Sequence, residues 1–205
     1  RRYWESPEFD YSQHVVTTAT RHLFPSKTSV GVSGEISHRT YTNRTVDDMS
    51  LGIDESTSRR FRVAGFVSQN LIESAGIRVS GYAQFGEGRN RWSNDYWQVL
   101  SDPLTSSGFG GKAQISWLAP LGLTLKPYVS FDRSEEIYVD DTGYDAERND
   151  RTLSGGAVVE GYLPWLMADR LVGFMIDVGA QRRRSSDPLY AYEQFGVVFG
   201  FRYAW

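Results

Sequence analysis

The chain has 205 residues, no cysteine and a formal net charge of −3 at pH 7. The lack of cysteine excludes a disulfide framework and thiol chemistry, and the mild negative charge argues against nucleic acid as a partner held by bulk charge. No stretch approaches 18 consecutive apolar residues, which excludes a membrane-spanning helix. The length suits a single domain over residues 1–205.

Alternation of apolar and polar residues with a period of two predicts about nine β-strands. Each is roughly ten residues long, which suits a tilted strand that crosses a bilayer. In chain order, the predicted strands lie near residues 11–21, 28–41, 60–69, 76–86, 108–118, 121–133, 152–163, 170–182 and 190–205.

The segments between these strands alternate between short and long. The short segments are 23–27, 71–75, 119–120 and 164–169, and the long, charged segments are 42–59, 87–107, 134–151 and 183–189. Outer-membrane barrels have short periplasmic turns and long external loops. The pattern therefore predicts an all-β fold, a transmembrane antiparallel up-and-down β-barrel whose carboxyl terminus lies in the periplasm.

Nine strands with a periplasmic end place the start of the first strand outside the cell. Bacterial single-chain barrels normally have an even number of strands, so at least one earlier strand is expected. The chain is then the carboxyl-terminal part of a barrel with ten or more strands, and residues 1–10 end an external loop. In the alternative interpretation, the first predicted strand is a loop or plug and the barrel has eight strands.

Each predicted strand has one apolar face and one face of small or polar residues. The final strand shows this most clearly, because Phe195, Phe199 and Phe201 share a side and alternate with residues such as Gly196 and Gly200. A soluble sheet would bury the aromatic side, whereas an outer-membrane barrel turns it toward lipid. The charged residues predicted to line the lumen are Glu35, Arg78, Lys112, Lys126, Asp132, Glu160, Asp177 and Arg202.

A soluble sandwich or barrel that carries these charges on its outer surface is the alternative. Aromatic residues near the predicted strand ends favour the membrane interpretation, because such rings form belts at headgroup level. Within the sixth strand, Pro127 predicts a β-bulge, since proline removes a ladder hydrogen bond.

The final strand resembles the carboxyl-terminal signal by which the barrel assembly machinery recognises outer-membrane barrels. Such a signal ends in an aromatic residue, with an apolar or aromatic residue two positions earlier and often glycine five positions earlier. Trp205, Tyr203 and Gly200 match, while Val198 stands where a polar residue is usual. The resemblance implies the outer membrane of a Gram-negative bacterium and the assembly machinery as a partner.

A longer resemblance covers residues 147–205. It consists of the segments 147–153 and 181–193, which contain an Arg-rich strand end, a Ser/Asp/Pro turn and a Tyr-x-Tyr entry to the last strand. In these features the chain resembles porin-2-like barrels found with exopolysaccharide export systems, and also the barrel of surface lipoprotein assembly modulators. The resemblance implies an outer-membrane barrel with a role in export.

Basic residues gather near the predicted external rim. They suit the phosphates of lipopolysaccharide, which arginine binds through charge-assisted hydrogen bonds, although simple solvation of the loops is the alternative. These residues are Arg148, Arg151, Arg182, Arg183 and Arg184.

The sequence contains no assembled catalytic constellation. His14 and His38 can approach each other in neighbouring strands, as in an omptin-like protease, but a rim histidine without a catalytic role is the preferred interpretation. No zinc-binding spacing and no Gly-x-Ser-x-Gly motif occurs. The chain is therefore predicted not to be an enzyme and to need no metal or cofactor.

The leading functional hypothesis is a channel or export conduit, in which pore width and charge govern passage. The alternative is a structural barrel that conducts nothing and anchors an envelope complex together with other subunits. Strand number discriminates between them, because barrels of about eight strands fill with side chains and barrels of about sixteen leave water.

Overall fold

The computed structural model describes residues 11–41, 53–92, 97–99, 106–139, 145–162 and 171–204. Within these ranges the chain forms one antiparallel sheet of ten strands, and no helix there is long and apolar enough to cross a membrane. The strands are β1 (Tyr11–Leu23), β2 (Thr28–Tyr41), β3 (Ile53–Ile72), β4 (Ala75–Trp92), β5 (Trp97–Val99), β6 (Ser107–Leu118), β7 (Thr124–Val139), β8 (Asp145–Tyr162), β9 (Leu171–Ser185) and β10 (Tyr192–Ala204).

The strands follow one another in space as they do in the chain. The exception is the short β5, which pairs only with β4, so that β6 takes the next place in the sheet. The predicted all-β, up-and-down architecture with nine main strands is thus confirmed. In the part of the chain that the structure describes, β1 and β10 do not pair with each other, so the sheet is open at these two edges.

The segment 11–23 is a strand along its whole length, paired with β2 from Tyr11 to Leu23. The interpretation of this segment as a loop or plug is therefore wrong. Its alternating residues continue the two faces of β2, and directly opposed residues of an antiparallel pair lie on the same face.

Several strands extend further than the sequence predicted, and the largest extensions lie on the side of the predicted long segments. For example, β7 continues to Val139 and β8 begins at Asp145, so that most of the segment 134–151 is strand. The strict alternation of short and long loops is wrong for this reason. The prediction ended each strand where apolar residues stop, but cross-strand charge pairs such as Glu136 opposite Arg148 continue the ladder.

No bulge forms at Pro127. The β6–β7 ladder is interrupted between the pairs Gln114–Tyr128 and Trp117–Leu125, but the register is the same on both sides. On the other side of β7, Pro127 pairs with Ala157 in regular register. The proline removes one donor toward β6, and the ladder accommodates this loss locally without an extra residue.

The sheet has two chemically distinct faces, which we call polar and apolar. The polar face carries Glu35 and Asp132, and the apolar face carries Ile36 and Phe131. Polar-face residues from β1 to β7 line a common cavity of about 640 Å³. The sheet therefore curves toward the polar face.

Burial is inverted relative to a soluble sheet. Among the described residues, Val158 is the single buried apolar residue, whereas buried polar residues include Ser37, Ser58 and Asp150. Most of the large side chains of the apolar face are exposed, and Phe201 reaches 77%. A contiguous exposed apolar surface marks contact with a membrane or a partner.

Candidate functional site

The polar face of the sheet is the candidate site, and it holds the charged residues predicted to line a lumen. For Arg202 the structure describes the backbone but not the side chain, and this backbone pairs with Gly173 of the polar face. The others with described side chains on this face are Glu35, Arg78, Lys112, Lys126, Asp132, Glu160 and Asp177.

Two of the predicted carboxylates form ion pairs between neighbouring strands. The Arg60 guanidinium lies 2.6 Å from the Glu35 carboxylate, and the Lys126 ammonium lies 2.5 Å from the Glu160 carboxylate. All four side chains are partly exposed, so each pair adds little to stability. Their effect on the face is to cancel charge locally.

A second kind of contact spans three strands. The Tyr82 hydroxyl of β4 donates to the Asp132 carboxylate of β7 at 2.7 Å. The Tyr82 side chain crosses β6 at Gly110, which pairs with both Tyr82 and Asp132. Glycine is required at this crossing, because a Cβ at Gly110 would clash with the Asp132 carboxylate and lie 2.7 Å from the Tyr82 ring.

The same arrangement recurs two strands further along the sheet. The Tyr128 hydroxyl of β7 donates to the Asp177 carboxylate of β9 at 3.3 Å. It passes over Gly156 and Gly179, where an added Cβ would stand 2.9 Å from the hydroxyl oxygen. The small residues of the polar face thus leave room for tyrosines to lie flat and hold carboxylates beyond the adjacent strand.

Other cations of the polar face rest on aromatic rings. The Arg62 guanidinium lies 4.4 Å from the centre of the Tyr82 ring, and the Arg78 guanidinium lies 4.1 Å from that of Phe66. The Lys112 ammonium lies 4.1 Å from the centre of the Tyr128 ring. A ring attracts a cation through its quadrupole but carries no net charge, so these groups are positioned without being neutralised.

Near the amino-terminal end of β8, the polar face holds a compact network around Asp150. This carboxylate is 2% exposed and accepts a hydrogen bond from Arg148 at 3.0 Å and another from Arg183. Arg148 also pairs with Glu136 and stacks on the Tyr190 ring at 3.8 Å. Burial acts to raise the pKa of Asp150, but the hydrogen bonds from Arg183, Ser185 and Arg148 together outweigh it and lower the pKa.

The arginines predicted to bind lipopolysaccharide divide between the two faces. Arg148 and Arg183 lie on the polar face and are neutralised by Asp150 together with Glu136. On the apolar side, Arg151 lies directly opposite Arg184, and Arg182 pairs with Glu193 at 2.8 Å. Period-two alternation determines this division, since positions 182 and 184 share a side that 183 does not.

The two histidines come together as predicted, because His14 lies directly opposite His38. They share the apolar side with Val16 and Ile36. The residue across from His38 in β3 is Arg59, and Nε2 of His38 lies 3.2 Å from the Thr40 hydroxyl. No group of three potential metal-ligating residues occurs in the described parts of the chain.

Of the predicted assembly signal, Gly200 lies within β10 opposite Met175, and the Tyr203 backbone pairs with Val172. Trp205 lies outside the described residues.

Several polar-face residues were missed from the sequence. Arg60 and Arg62 lie at the start of a predicted strand and Asp150 lies in a predicted long segment, so the predicted lumen residues do not include them. The available signal was periodicity: Glu136 keeps the same phase as Asp132, and Asp150 keeps that of Glu160. Continuing the alternation past the last apolar residue would have included them.

No family model matches the chain, and the searches of curated proteins and of solved structures find no significant match either.

Proposed function

We propose that this chain forms part of a Gram-negative outer-membrane β-barrel that acts as a channel or export conduit. The observation that carries the proposal is the inversion of burial, with charged, hydrogen-bonded side chains on the concave face and exposed aliphatic and aromatic side chains on the other. Lipid is the environment in which such an outer face is favourable.

The open edges of the sheet support a barrel of more strands than the described ones. A strand edge in hydrocarbon leaves backbone donors and acceptors unpaired, at a cost of several kcal/mol for each group. In the proposed barrel, further strands pair with β1 and β10 and bring the total to ten or more. The barrel assembly machinery would insert it in the outer membrane.

Lipopolysaccharide is the proposed partner of the apolar side near the predicted external rim. Arg151 and Arg184 lie side by side there, and both are exposed. Adjacent guanidinium groups repel each other unless an anion lies between them, and a lipid phosphate meets that need.

A non-conducting structural barrel that anchors an envelope complex is the second candidate. The hydrogen bonds from Tyr82 to Asp132 and from Tyr128 to Asp177 favour this candidate, because both tyrosines lie across the polar face and occupy interior space. In a barrel of few strands such side chains fill the lumen.

Conductance of the purified full-length protein in planar bilayers tests the proposal. We expect discrete channel openings that shrink when Ser154→Cys, on the polar face, is modified with a bulky water-soluble thiol reagent. Leu153→Cys, the adjacent residue on the apolar face, is the matched control, and the chain's lack of cysteine makes each label unique. If the protein is correctly folded, as shown by its resistance to unfolding on heating, but has no conductance, the result would contradict the conduit and favour the structural barrel.

A further inference from the structure

Cations that form no ion pair with a described residue are concentrated in one part of the polar face. The 640 Å³ cavity between β1 and β7 is lined by the cations Arg21, Arg62, Arg78 and Lys112, whereas Asp132 is its one acidic residue. Asp132 already accepts the Tyr82 hydroxyl. The cavity therefore carries a clear excess of positive charge.

None of these cations forms an ion pair with a carboxylate of the described residues. Glu35 lies opposite Arg62 in the β2–β3 ladder, but its carboxylate pairs with Arg60. Arg21 instead donates to the Ser29 hydroxyl at 2.7 Å, and aromatic rings hold the other three in place. The Nε atom of Arg62 is buried and has no hydrogen-bond partner in the structure. A buried donor without an acceptor costs free energy, and an anion would supply the missing acceptor.

The remainder of the polar face behaves differently. Four cations outside the cavity, Arg60, Lys126, Arg148 and Arg183, each contact a carboxylate, from Glu35, Glu160, Glu136 or Asp150. Strands β2 and β3, which also line the cavity, place the acid Glu35 beside the base Arg60 outside it. The imbalance within the cavity is a local feature and is not a consequence of the overall charge, which is negative.

We propose that this cavity is a binding site for an anionic group of the carboxylate or phosphate type, and that the conduit carries anionic cargo. The passage of anionic cargo rests on the proposed function, whereas anion binding rests only on the cavity. Arg78 and Lys112 also share a smaller adjoining cavity with Ser80 and Gln114. Guanidinium groups give an oxyanion paired hydrogen bonds, and the ammonium adds a point charge.

Calorimetric titration of the full-length protein in detergent tests the site. The probes are inorganic phosphate, an oligogalacturonate as a carboxylated polymer, and a neutral malto-oligosaccharide of equal length. We expect the anions to bind and the neutral sugar not to bind. Binding of phosphate alone would identify a small anion as the ligand, whereas binding of the oligogalacturonate would identify a polymer.

The variant that removes the site is Arg62→Gln, Arg78→Gln and Lys112→Gln combined, and its anion affinity should fall by about tenfold or more. Lys112→Gln alone changes an exposed side chain, keeps the fold, and should weaken binding by a smaller factor. The matched control is Lys126→Gln, which also removes a cation but one that Glu160 neutralises. Equal affinities in all four proteins, or no anion binding, would overturn the proposal.

Reversal potentials across a salt gradient provide the second readout. The wild-type channel should prefer chloride to potassium, and the triple variant should lose that preference. If the protein binds anions but conducts nothing, the result contradicts the proposed conduit and supports the anion site. If the protein conducts but the triple variant changes neither anion binding nor ion selectivity, the result contradicts the anion site and supports the conduit.

Discussion

Val197→Arg lowers the free energy of unfolding in lipid by about 2–4 kcal/mol, the cost of arginine on the lipid face near the bilayer midplane. Val198→Arg, one residue further along β10, has a much smaller effect. The chemical change is identical, but Val197 lies on the apolar face opposite Val178, and Val198 lies on the polar face opposite Asp177. Denaturant unfolding in lipid vesicles measures both values.

This comparison separates the two interpretations of the exposed aromatic face. In a soluble arrangement whose partner chain covers that face, Val197→Arg would instead reduce association, and the protein would remain folded without detergent. Equal effects of the two substitutions, or a larger effect of Val198→Arg, would contradict a lipid-facing position for Val197.

Asp150→Ala destabilises the protein by about 3 kcal/mol, because it leaves the mostly buried guanidinium groups of Arg148 and Arg183 with one carboxylate, that of Glu136, which contacts only Arg148. Arg148 is only 10% exposed at its side chain, and Arg183 contacts the same carboxylate oxygen. The control is Glu193→Ala, which breaks a solvent-exposed pair with Arg182 and should change stability little. Similar effects from both variants would show that the network does not stabilise the fold.

The pH dependence of stability identifies the charge of Asp150 as the cause. Its pKa is lower in the folded protein than the ordinary value of 3.8, so its contribution is present above that value and is lost as the pH falls through the lowered pKa. Asp150→Asn keeps the shape but not the charge. The stability difference between wild type and this variant should be largest near neutral pH and should shrink below pH 3.8.

Alternation predicted the strands and their faces because it depends only on the backbone. Side chains of a strand point to opposite sides regardless of partners, so Glu35 and Asp177 could be assigned to one face before their neighbours were known. The order of strands followed from short connections, which favour antiparallel neighbours.

Contacts across strands could not be predicted in the same way, because they depend on register. Whether Tyr82 faces Gly110 and then Asp132 depends on where two turns begin and end. The predicted strand ends were wrong for a related reason: the prediction ended each strand where apolar residues stop, whereas Glu136 and Arg148 continue the ladder as a charged pair. The sequence also did not show that Pro127 interrupts a ladder without changing its register.

The most direct test of the central claim compares the surroundings of two adjacent residues in β7. Val129→Cys and Ser130→Cys, each labelled with an environment-sensitive fluorophore, are placed in lipid vesicles within the full-length protein. We expect lipid-embedded nitroxide to quench the label at position 129, which is 51% exposed in the structure, and aqueous iodide to quench the label at position 130. Quenching of both labels by iodide, or shielding of position 129 from lipid, would contradict a barrel with its apolar face in the membrane.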